Sequence, residues 1–241
     1  MSADGGARFV LFDLDGTLLD SYRLISHAFR RACQEVLGRD LTDAEVTAEW
    51  GAPLRWRFER VPGVRPEQVR RLMDAYLAAY EAEHDRLATL FPGVPEMLDA
   101  LRARGCRMAI VTSKRRRTTE LAMHAFGLHR WVAAVVTEQD VPRPKPAPDP
   151  IWQALRALGA TPPEALMVGD GVFDIEAGKR AGTTAVAALW GTREAGRLRA
   201  AGPDYEAAQP ADVVALVDRL RRPPGAGAHT GRDGPRPPAS A

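Results

Sequence analysis

The chain has 241 residues, 45% of them hydrophobic and 27% charged, with a formal net charge of +2. That length supports one sizeable core, or a core with a small accessory unit. The near-neutral balance points away from nucleic-acid and membrane-surface binding. Two cysteines far apart, Cys33 and Cys106, read as reduced thiols in a cytoplasmic protein rather than a disulfide framework. The first residues lack a long apolar run, and no stretch approaches the roughly 20 apolar residues that span a bilayer.

In chain order, Arg8–Phe12 (RFVLF) is a short apolar run that stops at Asp13, as a buried strand ending in a polar loop does. Similar runs follow at Met108–Thr112, Ala133–Thr137, Ala165–Gly169 and Thr184–Ala188. Helical patterns separate them at Pro95–Arg104, Arg115–Phe126, Pro150–Leu158 and Phe173–Ala181. Apolar strands alternating with helices predict an α/β fold: a doubly wound parallel sheet covered on both faces. Ligands of such sheets sit beyond the carboxyl ends of the strands.

Residues from about Ser21 to Leu90 interrupt the alternation with helical periodicity alone. The clearest stripe is Val69, Leu72, Met73, Tyr76, Leu77 and Tyr80. This predicts a small all-helical cap at 21–90 over a core formed by 1–20 and 91–221, with hinges near Leu18–Ser21 and Thr89–Gly93. The Pro/Gly/Ala-rich stretch 222–241 is expected to be a disordered tail.

The strand ends carry the chemistry. Asp13-Leu14-Asp15-Gly16-Thr17-Leu18 places two carboxylates just past the first strand, suited to a hard cation or to nucleophile and acid/base roles. An acidic Asp-Gly turn is the plainer alternative for that segment alone. Thr17 is expected to hydrogen-bond back into this loop. Thr112-Ser113-Lys114 offers hydroxyls, helix-start N–H groups and a cation, the complement of a phosphoryl oxygen, though alone it is no more than a helix cap. Asp170 follows the fourth run and Asp174 lies one turn on, where a helix N-terminus also favours acidic residues. Lys145 is set among alternating prolines in RPKPAP, which suit a loop to aiming one side chain. Lysine occurs only at 114, 145 and 179, so two of three fall in strand-end loops.

Together these four segments resemble the motifs of the haloacid dehalogenase superfamily of phosphohydrolases, and the helical insertion resembles the cap of its phosphoglycolate phosphatase-like subfamily. The resemblance spans roughly residues 8–220. It implies that Asp13 attacks phosphorus to give an aspartyl-phosphate, and that Asp15 serves as general acid and then general base. It further implies Mg²⁺ held by the Asp13 carboxylate, the Asp15 carbonyl and Asp170, with Asp174 in support, and a phosphoryl group bound by Thr112, Ser113 and Lys145. Gly171 departs from the small polar residue many relatives carry there. The absence of lysine from 21–90 argues against relatives that form a Schiff base in the cap, and Asp15 argues against dehalogenation.

The substrate is expected to be a small phosphorylated metabolite or pyrophosphate. Tyr80–Asp85 running into Leu90-Phe91, with ALMVGD and DIEAG, resembles inorganic pyrophosphatases of this subfamily; phosphoglycolate phosphatases are the alternative. A phosphosugar mutase and a non-catalytic phosphometabolite-binding protein are further from the pattern. Arg55, Arg57 and Lys114 are candidates for reading a distal anionic group, the plainer reading for Arg55 and Arg57 being a solvated helix face. A monomer or homodimer is expected.

Overall fold

In a computed structural model, residues 7–221 are described; the expected disordered tail at 222–241 lies outside them. The elements in chain order are β1 (Phe9–Phe12), β2 (Leu19–Asp20), α1 (Tyr22–Leu37), α2 (Asp43–Thr47), α3 (Leu54–Glu59), α4 (Pro66–Leu87) and β3 (Thr89–Leu90). Then come α5 (Val94–Ala103), β4 (Arg107–Val111), α6 (Arg116–Ala125), β5 (Val132–Val136), α7 (Asp149–Leu158) and β6 (Ala165–Gly169). The chain continues through α8 (Val172–Ala181), β7 (Thr184–Ala188), α9 (Ala195–Ala200), β8 (Tyr205–Ala207) and α10 (Pro210–Arg221).

Six strands form one parallel sheet in the order β5-β4-β1-β6-β7-β8. The two-residue period of a strand sends alternate side chains to opposite faces. Val10, Phe12, Met108, Ile110, Leu166 and Val168 join one apolar cluster, while Leu11, Ala109, Val111 and Met167 join another. Strands buried on both faces read as continuous apolar runs, which is why five of the six were visible in the sequence. The sixth, β8, is the exception. Its Tyr-Glu-Ala has one fully buried residue and no run to read.

The sequence direction reverses at β1, whose neighbours β4 and β6 leave on opposite sides. That switch point opens a crevice at the carboxyl ends, where the segments after β1, β4 and β6 meet.

Helices α1–α4 lie between β2 and β3, which pair antiparallel as Leu19↔Leu90 and Asp20↔Thr89. This short ribbon falls at the two segments expected as hinges, inside a stretch where the sequence showed helices only. The helices bury their own cluster, including Leu24, Phe29, Phe58, Leu72 and Tyr80. Phe29 and Phe58 stack at 4.5 Å with an interplanar angle of 8°, and Tyr76 meets Phe58 edge-on at 6.2 Å. The α4 stripe is buried as its spacing predicts, except that Leu77 is only partly covered while Ala75 is buried.

Phe58 has no exposed surface, touches Phe29 and Tyr76 directly, and supports Arg57 through Phe29. Phe58→Ala should cost about 3–5 kcal/mol, measured by urea unfolding of the helical layer; a loss under about 1 kcal/mol would mean that this stack does not organise it.

Candidate active site

Each functional side chain is placed by a strand that has just ended. Asp13 follows β1, with its N–H on the Val168 carbonyl at 2.9 Å. Leu14 is fully buried and anchors the loop. Gly16 then adopts φ +83°, and a Cβ there would lie 2.1 Å from Asp170 Oδ2, so only glycine permits this approach. Thr17 donates across the crevice to Asp170 Oδ1 at 3.1 Å. Its N–H turns back into the loop, on the Leu14 carbonyl at 3.4 Å, while its hydroxyl reaches the neighbouring strand end.

Asp170 follows β6, and Asp174 sits in the first turn of α8. Asp174 Oδ2 accepts from the Gly171 N–H at 3.0 Å, a capping contact that the helix dipole reinforces. Thr112 follows β4, and its hydroxyl accepts from the Lys114 N–H at 3.2 Å, turning the chain toward α6. Lys145 comes from the loop before α7. Its ammonium donates to Asp13 Oδ1 at 2.8 Å, to Asp174 Oδ1 at 2.5 Å and to the Val111 carbonyl at 3.0 Å. All three ammonium protons are thereby used.

Asp13, Asp170 and Asp174 offer carboxylate oxygens within 4.8 Å of one another, and all three residues are buried. Burial is the main force on Asp13 and raises its carboxyl to about 7; Lys145 opposes that shift, and the Asp174 and Asp15 charges add to it. Asp170 is pushed well above the usual carboxylate range, first by burial and then by the charges of Asp13 and Asp174. Burial alone would lower Lys145, but the two carboxylates outweigh it and hold the ammonium above its ordinary value. Three carboxylates against one ammonium leave an excess of negative charge in a dry site. A hard divalent cation with oxygen ligands fits this donor set, and Mg²⁺ is typical of it.

Asp15 lies across the cavity from this cluster. It accepts from Lys114 Nζ at 2.7 and 2.8 Å and from Ser21 Oγ at 2.6 Å. Lys114 Nζ also lies 4.5 Å from the Tyr80 ring centre, so the pair is backed by the helical layer. The Ser113 hydroxyl is buried beside them and has no hydrogen-bond partner among the described residues. A buried polar atom left without a partner is costly unless a ligand completes it.

The helical layer forms the opposite wall. Arg57 lines the same cavity as Asp13, Asp15, Thr112, Ser113, Lys114, Asp170 and Asp174. Its residue is 6% exposed, and burial pulls the guanidinium below its ordinary value. It donates to the Val46 carbonyl at 2.5 Å, while Nε is unpartnered and no carboxylate meets it among the described residues. The sequence had left Arg57 open between a solvated face and a substrate contact; the side chain is inside. Arg55 instead lies on the outer face, 57% exposed and 3.6 Å from Glu59, and does not line the cavity. A 3.6-residue helical period puts two positions two apart on different faces.

Sequence reasoning missed Ser21, Tyr80 and Trp50 as members of this site. A capping-type serine before a helix and aromatics on an apolar stripe carry no signal that separates site from core.

A family described as haloacid dehalogenase-like hydrolase matches residues 10–188. The chain belongs to this family. Pyrophosphatase PpaX of Bacillus velezensis is 36% identical over 208 residues, 86% of this chain and 95% of that protein. Pyrophosphatase PpaX of Anoxybacillus flavithermus is 35% identical over the same shares. The crystal structure of a hydrolase from Pseudomonas syringae superposes with a TM-score of 0.78 at 27% identity, covering 88% of this chain and 99% of that one. As a haloacid dehalogenase-like hydrolase, the chain is a phosphohydrolase whose parallel sheet with flanking helices matches the fold of the family. No helix among the described residues is long and apolar enough to cross a membrane.

The acidic cluster sets a direct test. Mg²⁺ should raise the melting temperature, and the rise should be larger at about pH 8 than at about pH 6. The sign follows from Asp13: with its carboxyl raised to about 7, it holds a proton at the lower pH that the cation must displace. In Asp170→Asn the rise should vanish. An equal rise in that variant would place the cation elsewhere.

Proposed function

We propose that this haloacid dehalogenase-like hydrolase is a Mg²⁺-dependent inorganic pyrophosphatase working through an aspartyl-phosphate on Asp13. In this reading residues 21–90 are a cap domain, and 1–20 with 91–221 are the catalytic core. Asp13 Oδ attacks the proximal phosphorus as the bond from that phosphorus to the bridging oxygen breaks. Asp15 gives its proton to the departing phosphate, then takes one from the water that hydrolyses the acyl phosphate and restores Asp13. Asp13, Asp170 and Asp174 would hold Mg²⁺, which when bound offsets the charge of carboxylates and phosphate facing one another.

Lys145 supplies the compensating charge beside the nucleophile and fixes the carboxylate for attack. With its three donors already engaged, the Ser113 hydroxyl and the turn at Thr112 are the donors left for phosphoryl oxygens. Lys114 holds Asp15 on the leaving-group side.

The observation that carries the substrate class is Arg57. A buried guanidinium with no carboxylate is costly, and a second anionic group on the substrate supplies its partner. A distal phosphate does so, and relatives bearing the pyrophosphatase name support that choice. A carboxylate satisfies the same planar fork, which keeps 2-phosphoglycolate as the second reading. Arg55, exposed and paired with Glu59, has no part in this proposal.

Asp13→Asn should abolish turnover with the fold intact, while Asp15→Asn should lower kcat by about 10²–10⁴-fold. Phosphate release with Mg²⁺, compared for pyrophosphate and 2-phosphoglycolate at matched concentrations, decides the substrate. A higher kcat/KM for pyrophosphate is expected; preference for phosphoglycolate would make Arg57 a carboxylate reader, and indifference between them and an aryl phosphate would remove its role.

A further inference from the structure

The guanidinium of Arg57 is flanked by ring faces and donates to the Val46 carbonyl, the Asp15 charge acting on it from beyond ion-pair distance. Its Cζ lies 4.6 Å from the centre of Phe29 and 4.9 Å from that of Trp50. Trp50 in turn meets Tyr22 at 5.0 Å, tilted by 42°. Over the Tyr22 ring sits a second guanidinium, Arg193, with its Cζ 3.5 Å from the ring centre. Arg193 has no hydrogen bond or ion pair among the described residues, and its guanidinium rests on the Tyr22 face. The result is a chain of contacts, cation to ring, ring to tilted ring, and ring to cation. It begins in the core loop after β7 and ends on the wall of the catalytic cavity.

Both ends of the stack are built with care. Trp50 lies between Glu49 at φ +52° and Gly51 at φ +86°, in a turn closed by Trp50 N–H on the Thr47 carbonyl and Ala52 N–H on the Glu49 carbonyl. A left-handed glutamate is unfavourable, and such backbone is found where a side chain must be aimed. At the other end, the loop carrying Arg193 is locked to the nucleophile loop. Trp190 Nε1 donates to the Thr17 carbonyl at 2.9 Å, and a Cβ at Gly191 would fall 1.7 Å from the Gly16 carbonyl oxygen. Arg193 therefore stands at a fixed position relative to Asp13, and Tyr22 and Trp50 carry that position across to Arg57.

We infer that Arg193 is a positioning residue which, through Tyr22 and Trp50, holds Arg57 in register with Asp13, so that the loop after β7 sets the preference for substrates with a second anionic group. The inference rests on the reading of Arg57 as the partner of that group. Cation–ring contacts attract through the ring quadrupole and are directional, so the stack restrains the guanidinium without neutralising it. A carboxylate in place of Trp50 would also hold Arg57 but would consume the charge that the substrate needs. The stack leaves Nε and the charge available.

The experiment compares steady-state kinetics with Mg²⁺ on pyrophosphate and on p-nitrophenyl phosphate, which lacks the second anion, for the full chain and four variants. Arg193→Ala should raise KM for pyrophosphate about fivefold, with kcat and the aryl phosphate kinetics unchanged. Tyr22→Leu should act in the same direction, while Tyr22→Phe, which keeps the ring, should behave as the parent does. Arg57→Met is the control and should raise the pyrophosphate KM most. If Arg57→Met is selective but Arg193→Ala and Tyr22→Leu are neutral, or weaken both substrates alike, the stack is structural only and the inference fails while the pyrophosphatase reading stands. If Arg57→Met is itself unselective, the reading of Arg57 fails and the inference falls with it. Should Tyr22→Leu not fold, Arg193→Ala decides alone, since that side chain is on the surface.

Discussion

The contact on which the structure depends is the buried ammonium of Lys145 between Asp13 and Asp174. Three carboxylates converge at the end of a parallel sheet, and water is largely excluded from them. Ionised carboxylates this close in a medium of reduced dielectric repel one another by several kcal/mol. One lysine with its three donors committed to Asp13, Asp174 and the Val111 carbonyl lets the cluster exist, yet leaves it short of positive charge. A divalent cation with oxygen ligands fits that deficit. Burial first, and then the charges of Asp174 and Asp15, raise the Asp13 carboxyl to about 7 against the pull of Lys145.

The sheet makes this arrangement possible. Because β1 lies between β4 and β6, the segments that follow them end side by side. The glycines at 16 and 191 then let three loops approach to distances that any side chain would forbid. Chemistry is thus confined to the core. The helical layer contributes Trp50, Arg57 and Tyr76 to the cavity wall, and Tyr80 backs Lys114 from behind it. In the proposed reading the reacting atoms are held at the sheet, and the distal group is met by an insertion joined to it through a two-residue ribbon.

Much of the core could be read in the sequence because a doubly covered strand is a run of apolar residues, and each run stops where a polar loop begins. Asp13, Thr112 and Asp170 stand out that way and Asp174 by its helical spacing, and the structure brings the four around one cavity. What stayed hidden depends on distance in space. Thr17 and Ser21 are ordinary turn and capping residues until Asp170 and Asp15 are placed beside them. Arg55 and Arg57 are indistinguishable as letters, and only the packing of α3 on Phe29 and Trp50 turns one inward and the other out. The β8 strand was missed because three residues at a sheet edge are too few to show a period.

The claim that most of the account rests on is that Asp13 carries the phosphoryl group. The direct measurement is an acid quench during turnover of ³²P-labelled pyrophosphate, followed by digestion and mapping of the labelled peptide. The account predicts label on the peptide containing Asp13, with none in Asp13→Asn. Rapid turnover with no protein-bound label at any quench time, or label on another residue, would contradict it.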